Sequence, residues 1–187
     1  TLDAYVGFQG ETNLKPETLN SDEYLELITE AYDNRGVSRP WTDADMAQYE
    51  GVNTDWKDLI LRMGVLQNYN LGVSGSSEHS NYFVSGSYQN HKGRVLSTDY
   101  ERYTLRFNSD HNINKWISFG NSLNVFSSES NGSTSLYRGA LVTVPITRPY
   151  EDDGSWGRIR NRDLEGGGNP LFSADRDEKR IETKGLL

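Results

Sequence analysis

Residues 71–90 read LGVSGSSEHSNYFVSGSYQN, and the fold turns on them. Leu71 and Val73 alternate with Gly72 and Ser74; past a polar knot, Tyr82, Val84, Gly86 and Tyr88 alternate with Phe83, Ser85, Ser87 and Gln89. A period of two puts each set on one face of a sheet, so the stretch predicts a β-hairpin closed by GSSEHSN. A soluble hairpin needs a dense apolar core on one side. Here the face opposite the apolar one is mostly Gly, Ser and Gln. What each face touches therefore decides the architecture.

The alternation continues in both directions. RYTLRFNSDH sets Tyr103, Leu105 and Phe107 against Arg102, Thr104, Arg106 and Asn108, and WISFGNSLNVF sets Ile117, Phe119, Leu123 and Val125 against Ser118, Gly120, Ser122 and Asn124. LDAYVGFQ alternates from the first residues, with Leu2, Ala4, Val6 and Phe8 on one face. No signal-peptide pattern precedes it, which suggests a fragment or a processed chain. Between this strand and the next, the spacing turns helical. Asn20 and Glu23 form a capping-box pattern ahead of Tyr24, Leu25, Ile28, Ala31 and Tyr32, and Gly36 is placed to end that helix. Thr42 with Asp45 starts a second helix. TDWKDLILRMG predicts a third, with Trp56, Leu59, Ile60 and Met63 on one face and Gly64 at its end.

The expected organisation is thus a first strand over 1–9, a long helix-containing loop over 10–66, four antiparallel strands over 67–126, a long loop over 127–177 and the start of another strand over 178–187. Structureless loops longer than about 12–15 residues are uncommon in compact domains and usually functional. Short turns at one rim, long loops at the other, and strands with one apolar and one polar face describe an outer-membrane β-barrel. Lipid then meets Leu71, Val73, Tyr103, Leu105, Phe107, Ile117, Phe119, Leu123 and Val125. Arg102, Arg106, Asn108 and Asn124 line a lumen.

Composition agrees with this reading. The hydrophobic fraction is 34%, yet eleven tyrosines and four tryptophans argue against disorder. A net charge of −8 argues against a nucleic-acid partner. The absence of cysteine removes disulfides, thiol catalysis and cysteine-bound zinc. No run of 18 apolar residues exists, which excludes a membrane-spanning helix but not a barrel.

One stretch narrows the class further. Residues 54–116 carry Thr54-Asp55-Trp56, then Asn70 to Gly75, Gly93, and Tyr103 to Asn108. In these phrases the chain resembles the SusC/RagA family of TonB-dependent outer-membrane transporters of Bacteroidetes, and LDAYVGFQG is similar to that family's first barrel strand. The resemblance runs from residue 1 to about 126. Arg62-Met63-Gly64 and Ser76 depart from the family wording. The resemblance implies an all-β fold, part of a large transmembrane barrel of the bacterial outer membrane, with about 22 strands in the whole against roughly six here. It implies partners as well: a SusD-like surface lipoprotein, a TonB complex acting through a plug domain not in this chain, and an oligosaccharide or oligopeptide substrate.

No enzyme is expected, because no nucleophile motif and no paired His/carboxylate constellation stands out. His79, His91 and His111 lack metal-ligand spacing and read as solvated turn residues, so no metal or cofactor is expected. The acids at 151–153 and at 175, 177 and 178 lack the spacing of a calcium loop, and EGGGNP at 165–170 reads as a turn rather than a phosphate cradle. Aromatics near strand ends (Tyr82, Tyr88, Tyr100, Tyr103, Trp116 and Phe119) are candidates for an interfacial girdle where they lie on the apolar face, or else for sugar-stacking platforms. Trp41, Tyr137, Tyr150 and Trp156, in the long loops, are the candidates for substrate contact. The competing class is a soluble carbohydrate-binding β-sandwich, and a glycoside hydrolase would rest only on the loop acids.

Overall fold

A computed structural model describes residues 1–10, 16–132, 134–158, 164, 167–176 and 180–186. Two compact units emerge, one of strands (1–11, 63–132 and 179–187) and one of helices and turns (12–62 and 133–178). The acids at 177 and 178, and the first two residues of EGGGNP, lie outside the described residues.

The strand unit is one six-stranded antiparallel sheet whose strands neighbour one another in sequence order. They are β1 (Leu2–Gln9), β2 (Gly64–Ser76), β3 (Ser80–Lys92), β4 (Asp99–Asn114), β5 (Ile117–Asn131) and β6 (Arg180–Leu186). The opening hairpin is β2–β3, with Val73 opposite Val84 and Ser76 opposite Asn81. The turns after β2 and β4 lie at one rim. At the other rim Gln9 pairs with Gly64 and Asn131 with Arg180, so both long insertions leave and re-enter the sheet there. Among the described residues no second sheet packs on this one, which is what a soluble sandwich would require.

Several expected bounds shift. β2 begins at Gly64 rather than 67, because Gly64 to Leu66 pair with Gln9 to Gly7. Gly64 therefore opens a strand instead of ending a helix. β5 runs to Asn131 rather than 126, since Ser127–Asn131 pair with both β4 and β6. At 13 to 16 residues, β2 to β5 are longer than the nine to eleven a membrane crossing needs, so they project beyond an apolar band.

The helical unit builds one core from two insertions far apart in sequence. α1 (Ser21–Arg35) starts with the reciprocal cap: Glu23 N–H donates to Asn20 Oδ1 and Asn20 N–H to Glu23 Oε2, both at 2.9 Å. It ends at Gly36, whose φ of 66° is the left-handed conformation that favours glycine. Asn20→Ala should cost about 1 kcal/mol of this unit's stability, measured by denaturant unfolding. α2 (Asp43–Ala47) carries the second box, through Thr42 and Asp45. The Thr42 backbone N–H, with its hydroxyl, holds the Asp45 carboxyl below the usual carboxylate range. What that cap contributes is present above the unfolded carboxylate pKa of about 3.9 and is lost as pH falls through the lower folded value.

α3 (Trp56–Ile60) stops earlier than its sequence pattern suggests, at the extended Leu61. Trp56 and Ile60 are buried as expected, but Leu59 and Met63 are exposed and Lys57 is buried instead. Lys57 Nζ donates to the Pro16 carbonyl at 2.9 Å, which satisfies part of its buried ammonium. Trp41, Tyr49, Val144, Ile146 and Leu164 form the central cluster, with Tyr24, Leu25, Ile28, Tyr32 and Met46 of the first insertion packed against it. α4 (Thr134–Val142) and α5 (Pro170–Arg176) complete the unit.

Candidate functional site

Cross-strand partners share a face, so the register sorts the side chains directly. Leu2, Leu71, Gly86, Leu105, Val125 and Leu186 form one continuous row across all six strands. Val73, Val84, Phe107 and Leu123 form the next row on the same face. Leu71, Leu105 and Phe119 are each more than half exposed. A contiguous apolar face of this extent is what a lipid-facing barrel wall presents.

The band has defined ends. Tyr69, Tyr88 and Tyr103 occupy one row, with ring centroids 6.3 and 4.9 Å apart. The hydroxyls of Tyr88 and Tyr103 both donate to Glu101 Oε1, at 2.7 and 2.8 Å. Beyond the tyrosines the row is Val6, Gln67, Asn90, Glu101, Glu129 and Glu182, so apolar character stops on β3 to β6, while β1 and β2 carry it on through Val6, Phe8 and Val65. At the other end stand Phe119, Ile117, Tyr82 and, in the β4–β5 turn, the almost fully exposed Trp116. From Phe119 to Ser127, beside Tyr103, is about 27 Å of strand, or about 20 Å of height at a barrel tilt of 35–45°. The tyrosine ladder includes Tyr69, which shares the parity of Leu71. Tyr100 does not join it: it pairs with His91 and Ser130 on the polar face.

That polar face carries Arg102, Arg106, Asn108 and Asn124, as expected from the alternation. Ser122 Oγ donates to Asn108 Oδ1 at 3.0 Å, and the Arg102 guanidinium lies 4.5 Å from the Phe126 ring centroid. The histidines belong to turns and strand ends, with His91 beside Gln9 Oε1 and His111 beside Ser80 Oγ. Among the described residues no group of three or more His, Asp and Glu is arranged to hold a metal ion.

In the helical unit the four aromatic candidates separate. Trp41 is buried in the central cluster, edge-to-face with Tyr32 at 4.8 Å. Tyr137 is half-buried on α4. Tyr150 and Trp156 come together with centroids 5.0 Å apart, and Phe172 joins Trp156 at 6.0 Å. Tyr150 is half exposed and Phe172 more than a third, so the trio offers an open aromatic surface. Phe172 carried no functional signal in the sequence.

The hairpin holding that pair is built by backbone. Gly157 N–H donates to the Pro149 carbonyl at 3.1 Å and Glu151 N–H to the Ser155 carbonyl at 2.8 Å. Asp153 Oδ1 accepts the Ser155 N–H at 2.9 Å, and hydrogen bonds from Ser155 hold its carboxyl below the usual range. Position 157 has no room for a side chain, because a Cβ there would overlap the Arg148 carbonyl. Gly157→Ala should therefore open the hairpin, and limited proteolysis should cut within 149–158 faster than in the unsubstituted protein. An unchanged cutting rate would contradict the close approach.

No protein-family model matches the chain. Among curated proteins it is 30% identical over 141 residues to TonB-dependent receptor P26 of Formosa agariphila, covering 75% of this chain and 14% of that protein. It is 34% identical over 114 residues to TonB-dependent receptor P3 of the same organism, covering 61% and 10%. TonB-dependent receptor SusC of Bacteroides thetaiotaomicron is 28% identical over 148 residues, covering 74% and 13%. The chain thus spans roughly a tenth to a seventh of the length of these relatives. Among solved structures, that of the RagAB peptide transporter superposes with a TM-score of 0.69 at 17% identity, over 92% of this chain and 23% of that chain.

Proposed function

Because the chain belongs to the SusC/RagA-like TonB-dependent receptors, as a segment of their β-barrel, we propose that it forms part of an outer-membrane importer of oligosaccharides or oligopeptides. The two-sidedness of the sheet carries this reading. One face is a bounded apolar band edged by tyrosines, and the other is polar and bears arginines. In the bilayer the first meets lipid and the second lines the lumen. Short turns of such barrels face the periplasm and long loops the exterior. The insertions at 10–63 and 132–179 then face outside the cell, where a SusD-like lipoprotein and the substrate meet them. Energy reaches the barrel from a TonB complex through a plug domain outside this chain.

Within those insertions Tyr150 and Trp156 are the substrate-contacting pair, with Phe172 extending their surface. Tyr137, half-buried on α4, is a secondary contact, and Trp41 acts only by holding the unit together. The name of the RagAB assembly as a peptide transporter supports the peptide branch, and the kinship with SusC supports a common import role. Replacing Tyr150 and Trp156 together by Ala in the full-length receptor should cut substrate uptake by whole cells at least tenfold. Its amount in the outer membrane should stay constant. Unchanged uptake would remove the aromatic pair from the substrate path. If cells lacking the receptor take up every oligosaccharide and oligopeptide tested at the normal rate, the importer reading itself falls.

A further inference from the structure

We propose that the cavity between the end of α2 and the 148–158 hairpin binds a carboxylate group on the imported molecule. The proposal rests on the importer reading and deepens it by naming the chemistry of the substrate. The cavity measures about 250 Å³ and is lined by Gln48, Tyr49, Ile146, Arg148, Glu151 and Arg158. Ile146 and Tyr49 are the buried residues of that lining. The rest of the lining is Arg148, Arg158, Gln48 and one acid, Glu151, in a chain whose net charge is −8.

Among the described residues the two arginines face exposed acids: after the Ser155 hydrogen bonds, the Arg158 charge helps hold the Asp153 carboxyl below its usual range, and Arg148 stands near Asp152. Arg148 Nη1 lies 3.7 Å from Asp152 Oδ1, whose side chain is 99% exposed. Solvated pairs of that kind contribute little and exchange readily. Glu151 Oε1 accepts the Arg158 backbone N–H at 3.3 Å, which keeps one carboxylate at the cavity and leaves the Arg158 guanidinium out of that bond. A guanidinium offers paired N–H donors at the spacing of carboxylate oxygens, so two of them around a small polar cavity select that group. Tyr150 and Trp156 sit on the same hairpin, where a flat or apolar body attached to the carboxylate can stack. A uronic-acid residue and a peptide carboxyl terminus both have this form.

The test uses the full-length receptor in detergent and two matched probe pairs. One pair is tri-galacturonate and its methyl ester; the other is tetra-alanine and its carboxyl-terminal amide. At least one free acid should bind ten times or more tighter than its neutral counterpart by calorimetry. The variant carrying Arg148→Gln and Arg158→Gln should lose that preference, while Glu151→Gln, which removes a competing carboxylate, should strengthen it. Which acid responds identifies the source of the carboxylate. Equal binding of acid and neutral forms, no binding of either acid, or a preference that survives the double substitution overturns the proposal. These results leave the importer reading standing, because uptake by cells with and without the receptor is measured separately. If the double variant fails to fold, Glu151→Gln still decides: unchanged acid affinity in that variant counts against the site.

Discussion

Leu105→Arg should destabilise the assembled barrel by about 2–4 kcal/mol, and Thr104→Arg, one residue away, by much less. Leu105 lies in the middle of the row running from Leu2 to Leu186, more than half exposed and flanked by Gly86 and Val125. An arginine there places its charge in hydrocarbon. Thr104 pairs with Ser87 and Phe126 on the polar face, and the Arg102 Nε already donates to its hydroxyl at 3.3 Å. A guanidinium at 104 stays among polar groups. The measurement is the unfolding midpoint of the two variants in lipid vesicles. Similar losses at 104 and 105 would mean that both faces share one environment, and the barrel assignment of these strands would fail.

Trp56→Ala should cost the helical unit about 3–5 kcal/mol, the range for emptying a large buried aromatic site. Trp56 is 2% exposed, and its indole N–H donates to the Val144 carbonyl at 3.1 Å. Thr54 N–H reaches the neighbouring Pro145 carbonyl at 2.9 Å, so this segment ties the first insertion to the second. Losing the ring leaves a cavity and removes one of the two hydrogen bonds to the Val144 carbonyl, which the Thr147 N–H also reaches at 3.2 Å. Protease sensitivity within 12–62 and 133–178 should rise sharply. Retained protection would show that the two insertions do not depend on this joint. For the same reason, deleting residues 130–165 would not be a clean loop removal. It would cut the end of β5 and strip Leu136, Ala140, Val144, Ile146 and Leu164 from the core.

Much of the sheet was legible because its determinants are local. A two-residue period fixes which side chains share a face, so Leu71, Leu105 and Val125 could be grouped, and set against Arg102, Arg106 and Asn124, before any pairing was known. Short polar turns after β2 and β4 force antiparallel neighbours. Caps are local too, which is why Asn20/Glu23, Gly36 and Thr42/Asp45 fell where the spacing put them. Tyr100 lies near a strand end, but its parity with Arg102 puts it on the polar face.

The tertiary structure decided what depends on partners distant in sequence. Nothing near Trp41 tells that Val144, Ile146 and Leu164 will cover it, since those residues lie a hundred or more positions away. The end of α3 at Ile60 and the start of β2 at Gly64 were set by pairing with β1, which overrode an apolar helical spacing through Met63. The meeting of Tyr150 with Trp156 and Phe172, and of Gln48 with Arg148 and Arg158, likewise has no periodic signature. Strand faces follow from backbone geometry that each residue carries with it. A loop core and a binding cavity arise only when separate segments bury their apolar surface against one another, and that choice is made by the folded chain as a whole.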